Sequence, residues 1–110
     1  MLTLRPSIRI FLCLRPADMR KSLDGLSAMA REELGEDPLS GHLFIFRNRR
    51  GDRIKILYWH TNGFAIWYKR LEKGRFSFPV KDSGKLVINE STFHFLIGGL
   101  SLDRVWNREK

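Results

Sequence analysis

Arg47, Arg49, Arg50 and Arg53 crowd into the stretch Arg47-Asn-Arg-Arg-Gly-Asp-Arg53, and Lys55 follows two residues later. A guanidinium is permanently charged and presents planar, multidentate donors that match phosphate oxygens. A second group, Lys69, Arg70, Lys73 and Arg75, follows within the same region. Residues 47–75 hold nine Lys or Arg against two acids, Asp52 and Glu72, which is +7 of the chain's net +8. The chemistry this pattern supports is the holding of a polyanion, with nucleic-acid phosphates or an acidic protein face as partner. Charged residues also keep exposed strands from aggregating, but that role does not require nearly all the net charge in one segment.

Other chemistries fit less well. Phosphoryl transfer with two metals needs several carboxylates converging on one point. Asp18, Asp24, Glu32, Glu33, Glu36 and Asp37 instead fall on one helical segment and its flanks, the pattern of a solvated face. His42, His60 and His94 are isolated, so no paired histidines of a strand-nicking site are present, and His94 between Phe93 and Phe95 reads as an edge-of-core residue. Cys13 is the sole cysteine, which excludes an internal disulfide and a cysteine-based zinc site; it reads as a small buried filler. Arg50-Gly-Asp-Arg53 lacks the spacing and the lysine of a phosphate-binding loop. No catalytic residue, metal or cofactor is expected.

The elements that must position the cations follow from periodicity. Residues 7–14 form a first strand stopped by Pro16. Asp18 is placed as the cap of a helix over 19–34, with Met19, Leu23, Leu26, Ala30 and Leu34 on one face and Gly35 at its end. Strands over 42–47, 53–60 and 64–71 form an antiparallel meander, with Asn62-Gly63 as the second turn signal. Residues 85–88 supply a short last strand, and Asn89 caps a helix over 90–97 that ends at Gly98-Gly99. The expected fold is α+β: an antiparallel sheet of about four or five strands, one main helix packed on it and a short C-terminal helix. One domain spans 1–102, and a polar tail spans 103–110.

In such a meander the end of the third strand returns beside the start of the second. Arg53 should therefore stand next to Lys69 and Arg70, joining the two cationic groups. A two-stranded ribbon can enter a major groove. Alternatively, Tyr58, Trp59, Trp67 or Tyr68 could stack on unpaired bases where not taken into the core. Asp52 is read either as shaping the turn or as orienting Arg50 or Arg53.

At 110 residues with 43% hydrophobic residues the chain can build one core. Only roughly two thirds of the unfolded surface is buried at this size, which leaves homodimerisation open. No apolar run reaches the roughly 18 residues of a membrane span, and Ile8 to Leu14 is broken by Arg9, so a cytoplasmic protein without membrane association is expected.

Several segments together resemble a known family. Asp18-Met-Arg-Lys21, Asp24-Gly-Leu26, the run from Asp37-Pro-Leu-Ser-Gly-His to Leu-Tyr-Trp59, Asn62-Gly-Phe64 and Tyr68-Lys-Arg-Leu-Glu-Lys-Gly-Arg-Phe76 are similar to the small accessory proteins encoded by the second reading frame of insertion-sequence sixty-six elements. These are often called TnpB, a name shared with an unrelated RNA-guided nuclease. The resemblance covers residues 5–100. It implies a bacterial mobile element, a separate larger transposase as presumed catalyst, and a non-enzymatic role in transposition with no active site to carry over. The partners it implies are element DNA, in unspecified form, or the cognate transposase and the other accessory protein. The residues placed at a DNA contact are Arg47, Arg49, Arg50, Arg53, Lys55, Lys69, Arg70, Lys73 and Arg75.

Overall fold

The runs Ile-Phe-Leu-Cys and Leu-Phe-Ile-Phe offer no polar residue to turn toward water, the signature of strands covered on both faces. A computed structural model describes residues 6–77 and 79–98. It places these runs in strands β1 (Ile10–Cys13) and β2 (Leu43–Arg47), with every apolar residue of both buried. The remaining elements are helix α1 (Leu23–Glu32), a 3₁₀ turn (Pro38–Ser40), β3 (Arg53–His60), β4 (Gly63–Arg70), β5 (Lys85–Ile88) and helix α2 (Glu90–Ile97). The five strands form one sheet in the order β4-β3-β2-β1-β5. Phe78, Gly99 and the tail expected over 103–110 lie outside the described residues.

The fold is α+β, and the sheet departs from the expected antiparallel arrangement at one seam. β1 and β2 run parallel, with Ile10 opposite Leu43 and Leu12 opposite Ile45. Parallel neighbours need a long crossover, and α1 with the 3₁₀ turn supplies it. The other pairings, β1–β5, β2–β3 and β3–β4, are antiparallel.

Alternation along the strands builds two half-cores. Ile10, Leu12, Leu43, Ile45, Ile54 and Ile56 face Phe76, Phe93, Leu96 and Ile97. Phe11, Cys13, Phe44, Phe46 and Leu57 face Leu26, Ala30 and Leu34. The helices therefore cover opposite faces of the sheet, giving three layers. Burial raises the Cys13 thiol to about 11, so it stays protonated as a core residue.

Helix α1 starts at Leu23, four residues later than periodicity suggested. The Asp18 carboxylate accepts the Arg20 N–H (2.8 Å), and Lys21 N–H bonds the Asp18 carbonyl (3.0 Å), which makes a separate turn. Ser22 takes the cap position without a side-chain bond. Leu26, Ala30 and Leu34 are buried as the stripe required, whereas Leu23 is exposed. At the other helix Asn89 caps as expected, accepting from Thr92 N–H at 2.8 Å. His94 turns outward rather than to the core edge, with its side chain 53% exposed.

The β3–β4 hairpin pairs His60 with Gly63, so its central residues are Thr61 and Asn62, one position before the Asn-Gly pair. Thr61 holds φ 56°, a left-handed conformation that a branched side chain disfavours. Thr61→Gly is expected to add about 1 kcal/mol, the relieved strain less the entropy glycine brings. A higher urea midpoint at unchanged slope is the expected reading; an unchanged or lower midpoint would show that no strain is held there.

Candidate nucleic-acid interface

The arginine-bearing turn is fixed by Asn48. Its Oδ1 accepts the N–H groups of Gly51 (2.9 Å) and Arg53 (3.0 Å), and its Nδ2 donates to Asp52 Oδ1 (2.8 Å). Asp52 is thus a turn-shaping residue, held below the usual carboxylate range first by the Asn48 amide and further by nearby Arg50 and Arg53. The segment after β4 is sewn to this turn. Leu71 N–H bonds Asp52 O (2.8 Å), Phe76 N–H bonds Gly51 O (2.7 Å), and Arg47 Nε donates to Phe76 O (2.8 Å). Phe76, fully buried, anchors the loop in the core. Arg53 faces Arg70 across the β3–β4 ladder, so the two cationic groups adjoin as the meander requires.

The nine cations are not equivalent. Arg47 lies half-buried beneath the turn, and burial, with Arg75 nearby, lowers its basicity. Lys55 Nζ donates to the carbonyls of Met19 and Lys21, each at 2.8 Å, and lies 5.7 Å from the Tyr68 ring centroid. Lys69 shares a face with Ile54, the α2 side, where Nζ donates to Ile97 O at 2.7 Å and so tethers the helix C-terminus. These three ammonium and guanidinium groups stitch the backbone together. Arg49, Arg50, Arg70, Lys73 and Arg75 are exposed, and Arg53 is half-buried. Arg70 also meets Glu72 at 3.2 Å, an exposed pair of little energetic weight.

The parallel β1–β2 seam adds cations that sequence reasoning did not assign. It brings the ends of β1 and β2 together, with Ala17 N–H bonded to Arg47 O at 2.9 Å. Arg15 and Lys81 consequently share a cleft of about 460 Å³ with Arg49. Arg50 and Arg75 share another of about 290 Å³, beside Asp52 and Glu72. Arg20 and Arg53 line a third. Only the strand order could have revealed Arg15 and Lys81, because they are distant in sequence from the hairpin. Among the aromatics, Tyr58, Trp59 and Trp67 are half-buried, while Tyr68 is exposed. Among the described residues no three His, Cys, Asp or Glu groups are placed to hold a metal ion, and no helix is long and apolar enough to cross a membrane.

Residues 8–107 match the family model described as IS66 Orf2 like protein. Two proteins of Sinorhizobium fredii (strain NBRC 101917 / NGR234) are similar. The uncharacterized protein y4jC is 37% identical over 98 residues, covering 89% of this chain and 84% of its own. The uncharacterized protein y4hO is 31% identical over 94 residues, covering 86% and 82% respectively. No solved structure matches. With nearly its whole length matched, the chain belongs to the IS66 Orf2-like family, and so to the accessory proteins of an insertion sequence.

Proposed function

We propose that the protein is a non-enzymatic, cytoplasmic accessory factor of transposition that binds DNA phosphates through the exposed cations at one end of its sheet. The observation that carries this reading is that Arg49, Arg50, Arg53, Arg70, Lys73 and Arg75 project from one bonded frame, the Asn48 turn sewn to the 71–76 loop. The ends of β2 and β4 and the start of β3 meet there, so cations from separate segments share a surface. Such an array fits a phosphate backbone and needs no base contact to bind. Arg47 supports this frame from beneath through the Phe76 carbonyl, whereas Lys55 and Lys69 are engaged with carbonyls elsewhere, at Met19, Lys21 and Ile97.

Salt dependence tests it. Engaging about five phosphates gives a slope of log K against log salt near −4 to −5 on duplex DNA. A protein with no affinity for DNA at low salt would sink the reading.

A second reading makes the same surface a dock for the cognate transposase or the other accessory protein. Val80, 47% exposed beside Pro16 in the Arg49 cleft, favours it, since apolar side chains among charged ones suit a protein partner. Co-purification with the transposase, lost on Arg49→Ala with Arg50→Ala in the absence of any DNA binding, would decide for this alternative.

A further inference from the structure

Tyr68, 48% exposed, lines a cleft of about 620 Å³. The floor of the cleft is the α1-side face of β3 and β4, where Arg53, Lys55, Ile66 and Tyr68 lie. Its wall is the turn that delays α1, carrying Asp18, Arg20 and Ser22.

Both parts are held in place. Lys55 ties floor to wall through the carbonyls of Met19 and Lys21, and its ammonium stands over one face of the Tyr68 ring, so a base would stack on the other. Asp18 grips Arg20 in a fork, with Nε at 3.1 and 3.0 Å and Nη2 at 2.6 Å. That pairing lowers the Asp18 carboxyl to about 2, its charge answered by Arg20. The Arg20 side chain is nonetheless 91% exposed, so its remaining donors face solvent. Arg53 adds a second guanidinium from the floor of the cleft. The volume falls within the roughly 300–1,000 Å³ of small-ligand sites.

An exposed aromatic ring that shares a cleft with two guanidiniums matches the two parts of a nucleotide, a flat base and an anionic phosphate. A base inside a duplex hides its faces by stacking; an unpaired base does not. We propose that this cleft takes one unpaired nucleotide of a DNA strand, its base against Tyr68 and its phosphate between Arg20 and Arg53. The proposal rests on the phosphate-binding reading above and extends it to single-stranded segments.

The test compares binding of a labelled oligothymidine and of a duplex of equal length at one salt concentration. Tyr68→Ala and Tyr68→Leu should each weaken the single strand about 5- to 100-fold while changing duplex binding about twofold or less, and Tyr68→Phe should retain both. Tyr68→Leu keeps the bulk of the side chain, so a folding defect in the alanine variant does not obscure the result. Equal losses on both DNAs, no loss on the single strand, or wild-type binding to duplex alone would overturn the stacked nucleotide and leave phosphate binding standing. No binding to either form would overturn both.

Discussion

Replacing Arg49 and Arg50 together by alanine is expected to weaken duplex DNA binding on the order of 50-fold near 0.1 M salt, and to flatten the salt slope by about 2. Each phosphate released from contact removes about 0.9 from that slope, and the associated affinity scales with the logarithm of salt. The two side chains are suited to the experiment because they are exposed at the tip of the turn, where Arg49 lines one open cleft and Arg50 another. The turn itself is held by Asn48 and the main chain, so the fold should persist. Lys69→Met supplies the contrast. Its amine already serves the Ile97 carbonyl on the far side of the sheet. That variant should lose thermal stability but keep the wild-type salt slope. A slope that responds to Lys69 and ignores Arg49 and Arg50 would move the binding surface to the α2 face. Fluorescence anisotropy across a salt series measures both.

Gly51→Ala should destabilise the protein by about 2–4 kcal/mol, a large share of the stability of a domain this size. Gly51 holds φ +87°, where any side chain is strained. A Cβ there would also collide with an Arg47 terminal nitrogen. The arginine tip could swing aside, but only by disturbing its seat beneath the turn, where Nε donates to the Phe76 carbonyl. The loss would extend to the 71–76 loop, because Phe76 N–H returns to the Gly51 carbonyl. Denaturant unfolding of Gly51→Ala beside Gly74→Ala separates the two causes. Gly74 has a similar φ of +82° with open space around it, so the difference between the variants reports the Arg47 contact. Equal destabilisation would show that Arg47 takes no part.

Much of the architecture could be read from local pattern. The meander, the short β5, the Asn89-capped α2 and the burial of Phe44, Phe46, Ile54 and Ile56 all follow from side-chain period and cap chemistry. The adjacency of Arg53 and Arg70 follows from strand count alone. Three features could not be read from that pattern. The β1–β2 seam depends on where a distant strand docks, and a buried apolar run reads alike in either direction. Asp18 suits a helix cap or an independent turn equally, and its bonds to Arg20 select the turn. The fates of Lys55 and Lys69 are set by carbonyls far away in sequence, at Met19, Lys21 and Ile97. Charge counting identified the basic region; only partners in space divide its members into those that brace the scaffold and those left facing outward.

The strand order also imposes a sequence on assembly. β2, β3 and β4 are chain neighbours joined by short turns, and their pairing closes only small loops. β1 must return across the α1 crossover, and among the described residues β5 pairs with β1 alone. Loop-closure entropy makes such distant pairings the slower ones. The hairpin that carries the arginines is therefore the part of the chain that can organise itself first, while Arg15 and Lys81 join it only when the far half of the sheet has closed. A nascent or partly opened chain would then already display Arg49, Arg50 and Arg53 on a formed ribbon before its second hydrophobic layer is complete.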